Sequence, residues 1–369
     1  MRSATVAAMP NAHSHAFQRD LRGLGGRNPD DFWSWRTQMM HLAQALEPES
    51  MQRVASQVYR EMLAAGYGAV GEFHYVHHEP DGRPYDEPNA LALAVAQAAL
   101  DVGLPIVLIP AAYHRGGHPR FHDPDIESFL ARVDALREWA AGHADVSVAI
   151  AAHSVRAVPP DWLEAIAGYA TDHGIPRHVH ASEQPREVRE CRSQHGASPI
   201  ELLQRTGFLG PRTSVIHAIH VDERDVELLA ETETIVVTCP TTEANLGDGY
   251  FPALAYRDAG VRMAIGSDSQ VRVDPFEEVR ELESGARREG LARRALLAHY
   301  GGDLWSELVR NGLASLGFDG GATIDVDLDH PDLAGVSARE LPLALATCAS
   351  AGVVSRQARR LRAGGGNGS

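Results

Sequence analysis

Eight short, apolar, β-branched runs separated by longer stretches of helical periodicity leave a chain few architectures to choose from. The runs are ATVAAMPNAH, GAVGEFHY, LPIVLIPAAY, VSVAIAAHS, IPRHVHAS, TSVIHAIH, TIVVTCP and VRMAIGSDS. Between them lie helical patterns such as MQRVASQVYREMLAAG, PNALALAVAQAALDVG, DIESFLARVDALREWAAG and DWLEAIAGYATDHG. Several stop at a glycine just before the next strand, as helix ends do. Strands apolar on both faces and joined through helices belong to buried parallel sheet. Eight such units predict an α/β protein built as a (β/α)8 TIM barrel. An open doubly wound sheet is the competing fold, but no GxGxxG follows the first strand. The 369 residues then divide into a barrel over 1–315, a small β-rich segment over 316–360 and a disordered tail over 361–369.

Composition narrows the function. A net charge of −15 speaks against nucleic acid as a partner, since phosphate binding needs a basic face. No apolar run approaches the roughly 20 residues of a membrane span, and the opening MRSATVAAMPNAHSH lacks the apolar centre of a secretory signal. Cys191, Cys239 and Cys348 are far apart and form no CxxC pair, which fits a reduced, cytoplasmic compartment. The chain contains no lysine. That removes a Schiff-base lysine, a Walker P-loop and a metal pair bridged by a carboxylated lysine.

Polar residues gather where barrel enzymes keep their chemistry, at the C-terminal ends of the strands. The first run ends in His13 and His15, two residues apart and so on one face of a strand. Such a pair can offer two imidazoles to one metal ion. It can also be a polar loop in a chain with 19 histidines. The other runs decide between these. Tyr75 follows the second, His153 and Arg156 the fourth, His178, His180 and Glu183 the fifth, His217 and His220 the sixth, and Asp268 the eighth. If the barrel closes, these groups meet at one mouth. Imidazoles with one carboxylate suit a divalent ion, zinc or alternatively ferrous iron, that keeps a position open for water. An aspartate beside it can ligate and accept the water's proton. A glutamate three residues after a ligating histidine can exchange protons with a substrate nitrogen, and a histidine on the next strand can stabilise developing charge.

HSH on the first strand, HxxE on the fifth, the sixth-strand histidine and SD on the eighth resemble the amidohydrolase superfamily and its mononuclear deaminase branch. More narrowly, NAHSHAFQRDLRG, NPDDFWSWRTQMM, EFHYVHHE, AAHSVRAV, HVHASEQPREVREC and GSDSQVRVDPFEE are similar to the formimidoylglutamate deiminase family of histidine degradation. The resemblance implies one metal ion held by His13, His15, His180 and Asp268. It implies catalysis by Glu183, His217 and Asp268, and substrate contacts from Gln18, Arg36, Tyr75, His153 and Arg156. His178 is not carried over, because the HxxE spacing from Glu183 selects His180. The implied reaction is hydrolysis of N-formimidoyl-L-glutamate to N-formyl-L-glutamate and ammonia. Two arginines suit a dicarboxylate substrate, each through a bidentate fork. A deaminase of a heterocyclic base or nucleoside is the alternative and predicts stacking aromatics in place of paired arginines. A non-catalytic metal-binding homologue is the second alternative and predicts lost ligands.

Other residues read more plainly. His220 is a satisfied core histidine, His77 and His78 are loop residues, and Cys239 is a buried small residue. FEEVRELESGARREGLARR is a solvated helix face. Members of the implied family carry β structure ahead of the barrel that joins a C-terminal segment in a small sandwich. Here the chain starts almost at the first strand, so half of that sandwich is expected to be missing. The apolar surface left behind is the expected homodimer face; neither membrane nor nucleic acid is an expected partner.

Overall fold

The computed structural model describes residues 2–23 and 32–360. The expected tail, and the first four residues of NPDDFWSWRTQMM, lie outside them. The strands are β1 (Ser3–Ala7), β2 (Met9–Ser14), β3 (Tyr67–His74), β4 (Ile106–Ala112), β5 (Val146–Val148), β6 (Ile150–Ser154), β7 (Arg177–Ala181), β8 (Thr213–His217), β9 (Ile235–Thr238), β10 (Arg262–Ile265), β11 (Ala322–Asp327) and β12 (Val354–Arg360). β2-β3-β4-β6-β7-β8-β9-β10 form one parallel sheet in chain order, with helices between successive strands. β5 pairs with β4 just ahead of β6, so the fourth barrel strand comes in two pieces on either side of Ala149. This is the (β/α)8 architecture, with a small antiparallel sheet appended.

The helices form for ordinary reasons. Pro48–Ala65 buries Met51, Val54, Ala55, Val58 and Met62 on one stripe at helical spacing, and ends at Gly66, whose φ of 104° is the left-handed cap that glycine favours. Side chains of this size stabilise by roughly 1.5–3 kcal/mol each when fully buried. The turn at Gly66 then delivers the chain into β3.

The sheet becomes a barrel where β10 meets β2, and that seam is polar. Ser14 and Asp268 form an isolated parallel bridge. The His15 amide donates to Asp268 O at 3.0 Å, and the Ser267 and Asp268 amides donate to His13 O at 3.1 and 3.0 Å. Asn11 locks it: its Oδ1 accepts from Ser267 N at 3.0 Å and its Nδ2 donates to Ser267 Oγ at 2.6 Å. Gly266 makes the approach possible, because a Cβ there would stand 2.7 Å from His13 O and 2.8 Å from His13 Cβ. Closure therefore puts the first strand's histidines beside the last strand's aspartate.

Three sequence expectations change. ATVAAMPNAH is two strands. The Ala8 amide donates to Ala322 O in the small sheet and the Met9 amide donates to Gly66 O in the barrel, so the chain changes partners between adjacent residues. Residues 3–7 thus supply an edge of the small sheet: β1 pairs antiparallel with β11 from Ser3↔Asp327 to Ala7↔Thr323, and β11 with β12. Finally, the helix Pro275–Gly290 is not merely a solvated face. Glu278 and Glu283 are buried on it, Glu278 accepting from Thr241 N at 2.9 Å and Glu283 from the amides of Ala295, Leu296 and Leu297. No described helix is long and apolar enough to cross a membrane.

Candidate metal centre and active site

At the C-terminal mouth of the barrel, His13, His15 and His180 each place a ring nitrogen within 4.8 Å of the others. His13 Nε2 and His180 Nε2 are 3.1 Å apart, and Asp268 Oδ1 lies 3.5 Å from the Nε2 atoms of both His13 and His15. The far nitrogens fix the tautomers. His15 Nδ1 is 2.8 Å from Phe73 O and His180 Nδ1 is 2.9 Å from His153 O. Carbonyls only accept, so each Nδ1 carries the proton and each Nε2 turns a lone pair toward the centre. Burial lowers the pKa of His13 to about 3 against the opposing pull of Asp268, and burial likewise lowers His15 and His180. Neutral imidazoles are the ligating form. Burial disfavours charge on Asp268, but its contact with His13 and the neighbouring His15 and cationic His217 outweigh that and bring its pKa down to about 2. Lone pairs this close in a dry interior repel unless a cation lies between them. Three imidazole nitrogens and one ionised carboxylate therefore fit a divalent metal ion.

The backbone at the mouth is held out of its comfortable regions. Ser182, His217, Ala218, Asp268 and Gln270 have φ of 55°, 70°, 47°, 46° and 61°. Left-handed conformations at residues other than glycine concentrate where the surroundings over-determine geometry for a purpose. Here they turn strand-end side chains inward.

Around these candidate ligands stand further buried titratable groups. His217 Nε2 is 3.7 Å from Glu183 Oε1 and 3.9 Å from Asp268 Oδ2. Burial opposes a charge on His217, but Glu183, Glu243 and Asp268 outweigh it and raise its pKa to about 10. Burial raises Glu183 to about 7 against the pull of His217 and Arg156. The residues expected to hold substrate share this cleft: Gln18, Arg36, Tyr75, His153 and Arg156 line it with His15, His180, Glu183, His217 and Asp268. Gln18 Nε2 donates to Tyr75 Oη at 3.0 Å, leaving Gln18 Oε1 buried and unpartnered. Arg36 donates to Tyr113 Oη at 3.0 Å. Arg156 sits 3.7 Å from Glu183 and 3.9 Å from Glu187; burial disfavours its charge, but the two carboxylates raise its pKa. A wider cavity of ≈ 310 Å³ beside Tyr250 and Phe251 contains none of the four candidate metal ligands. The chemistry converges on the narrower cleft.

Residues set aside on sequence find other partners. His178 Nε2 reaches Ser315 O at 3.1 Å, His220 Nε2 reaches Asp248 O at 2.8 Å, and His77 Nε2 reaches Ala111 O at 3.0 Å. Cys239 is fully buried, which pushes its thiol pKa well above the usual range.

The profile of the amidohydrolase family matches residues 5–303. This chain belongs to the amidohydrolase family. The formimidoylglutamate deiminase of Pseudomonas aeruginosa is 40% identical over 307 residues, covering 79% of this chain and 67% of that protein. The 5-methylthioadenosine/S-adenosylhomocysteine deaminase of Natronomonas pharaonis is 29% identical over 336 residues, covering 89% and 74%. Among solved structures, an amidohydrolase from Brucella melitensis matches with a TM-score of 0.87 at 33% identity, over 97% of this chain and 86% of that one. An adenosine deaminase from Xanthomonas campestris, solved with bound zinc, gives a TM-score of 0.82 at 23% identity, over 95% and 78%, a likeness of fold.

Four buried or half-buried groups of this amidohydrolase escaped the sequence reading. Tyr113 ends the run LPIVLIPAAY, so its place at a strand end was the available signal. Glu187, one helical turn beyond Glu183, accepts from the Glu183 amide at 3.1 Å. Glu72 accepts from Ser14 Oγ and the Ala16 amide, both at 2.6 Å, bracketing His15 from behind. Glu243 lies 3.1 Å from His217 Nδ1. Nothing in the spacing of the last three distinguishes them from surface carboxylates.

Proposed function

We propose that this amidohydrolase hydrolyses the formimino C–N bond of N-formimidoyl-L-glutamate, giving N-formyl-L-glutamate and ammonia. One observation carries the choice of substrate: Arg36 and Arg156 line the same cleft as Glu183, His217 and Asp268. A small molecule with two carboxylates and a cationic formimino group matches that distribution of charge. The 40% identical relative named a formimidoylglutamate deiminase supports it independently. Among the described residues no carboxylate pairs with Arg36, whereas Arg156 has Glu183 and Glu187 nearby. Arg36, steadied by Tyr113, and Arg156, held by its two carboxylates, are the guanidinium groups that would take the substrate carboxylates.

His13, His15, His180 and Asp268 are the residues that would hold the metal, for which we propose zinc. When bound, such an ion supplies Lewis acidity that brings the pKa of water toward about 7. The chain's own groups do the rest. Water adds to the formimino carbon while Asp268, kept ionised, accepts its proton. His217 stabilises the charge that develops on the new oxygen. Glu183, with a pKa raised to about 7, holds and returns a proton near neutral pH, delivering it to the nitrogen that leaves as ammonia. Neighbouring His153, Tyr75 and Gln18 line the cleft and would contact the substrate.

Ammonia release from formimidoylglutamate by the metal-loaded protein tests the proposal. 5-Methylthioadenosine serves as the competing substrate, since Phe32, Trp35 and Tyr75 on the cleft could stack on a purine. Turnover of the nucleoside in place of formimidoylglutamate would reverse the assignment.

A further inference from the structure

Glu243 occupies the fourth position of the short helix Pro240–Leu246 and is buried, with 3% of its surface exposed. Its carboxylate is tied down on three sides. Oε1 accepts from the Cys239 amide at 2.8 Å and Oε2 accepts from Thr238 Oγ1 at 2.7 Å. The remaining partner is His217 Nδ1, 3.1 Å from Oε1. Two fixed donors hold the acceptor still, and the acceptor in turn fixes the ring.

His217 needs such a tether. Its φ is 70° and that of Ala218 is 47°, so the chain turns out of the ladder here, directly after the pairing of His217 with Ala181. An ionised carboxylate accepts and does not donate, which puts a proton on Nδ1. Nε2 is then the nitrogen presented to Glu183 and Asp268, at 3.7 and 3.9 Å. We propose that Glu243 is a positioning residue: it orients the His217 imidazole, fixes its Nδ1 proton and so aims Nε2 at the reacting carbon, without itself touching substrate.

The kinetic part of the test rests on the deiminase reading above; the spectroscopic part does not. Glu243→Gln keeps an oxygen for Nδ1–H and an amide to face Thr238, so it preserves orientation without charge. Glu243→Ala removes both. We expect kcat to fall on the order of 10-fold in the first, where an oxygen still accepts from Nδ1–H, and up to about 10⁴-fold in the second, the scale seen when a catalytic histidine loses the group that fixes its tautomer. KM should stay within about threefold and metal content should be unchanged, because Glu243 reaches neither substrate nor ligands. Nitrogen-15 NMR of histidine-labelled protein, without added metal, should show a solvent-protected Nδ1–H absent from His217→Gln. That signal should survive in Glu243→Gln and vanish in Glu243→Ala. Unchanged kcat in Glu243→Ala, a parallel rise in KM with loss of metal, or a wild-type spectrum lacking the protected proton would overturn the role. A wild-type protein that releases no ammonia would sink the deiminase reading alone, and the spectra would still decide on Glu243.

Discussion

His178 and His180 stand two residues apart on β7 and face the same way, yet only His180 turns a free lone pair toward other imidazoles; His178 is spent on Ser315 O. His180→Ala should therefore purify with little bound metal, whereas His178→Ala should keep a full complement, as metal analysis after dialysis will read. For substrate binding the same logic applies to Arg36. Removing a charge-assisted contact costs about 1.5–3 kcal/mol, so Arg36→Ala should raise KM roughly 10- to 100-fold with kcat nearly preserved. Tyr113→Phe, which loses the hydroxyl that steadies Arg36, should raise it only about 3- to 10-fold; steady-state kinetics separates the two. At this scale the clustering of His13, His15, His180 and Asp268 was legible because HxH and HxxE compress geometry into spacing. Tyr113, Glu187 and Glu72 were not, since each matters through a partner on another strand or one helical turn away, and a lone carboxylate or tyrosine looks the same buried or exposed.

Closure of the barrel depends on one element contact with no room in it. Gly266→Ala would force a methyl to within 2.7 Å of His13 O. Overpacking of this kind costs about 1–3 kcal/mol, and here the strand that must move carries a ligand. The variant should show both a lower urea midpoint and weaker metal retention, while Gly168→Ala, in open space within the helix Pro160–His173, should lower neither. A second element contact secures the helix that bears Arg36, Phe32–Gln44. The buried Arg120 guanidinium donates to Ala43 O, Gln44 O and Leu46 O, and to His78 O in the neighbouring loop after β3, at 2.6–3.0 Å. Alternation of strands and helices was readable throughout because each run is apolar and bounded by turn residues. The division of Ala4–His13 was not, because a small-residue run looks continuous until its partner, some three hundred residues away, is known. Nor were the buried Glu278 and Glu283, whose carboxylates satisfy backbone amides of other segments.

For the whole molecule, several buried histidines fix how stability follows pH. Burial lowers His74 to about 3 and His178 to about 4 from an ordinary 6.5. Both are neutral when folded. Above 6.5 the unfolded chain is neutral at these positions too, and their contribution is complete. As pH falls below 6.5 the unfolded chain takes up protons that the folded one refuses, so stability declines until the folded pKa values are reached. Each histidine contributes a slope of up to about 1.4 kcal/mol per pH unit. These two histidines should therefore pull urea midpoints down between about pH 7 and about pH 5, against the opposite pull of Glu72 and Glu183, which burial raises to about 7; His178→Gln should remove its share of the decline. The small sheet bears on a different process. β1 finds its hydrogen-bonding partner 320 residues later, at Asp325 for Thr5. A ribosome adding about 5–20 residues per second takes roughly a quarter of a minute to a minute to deliver that partner. Throughout that interval residues 3–7 have no β11 to pair with, so the small sheet can form only after every strand of the barrel has been made.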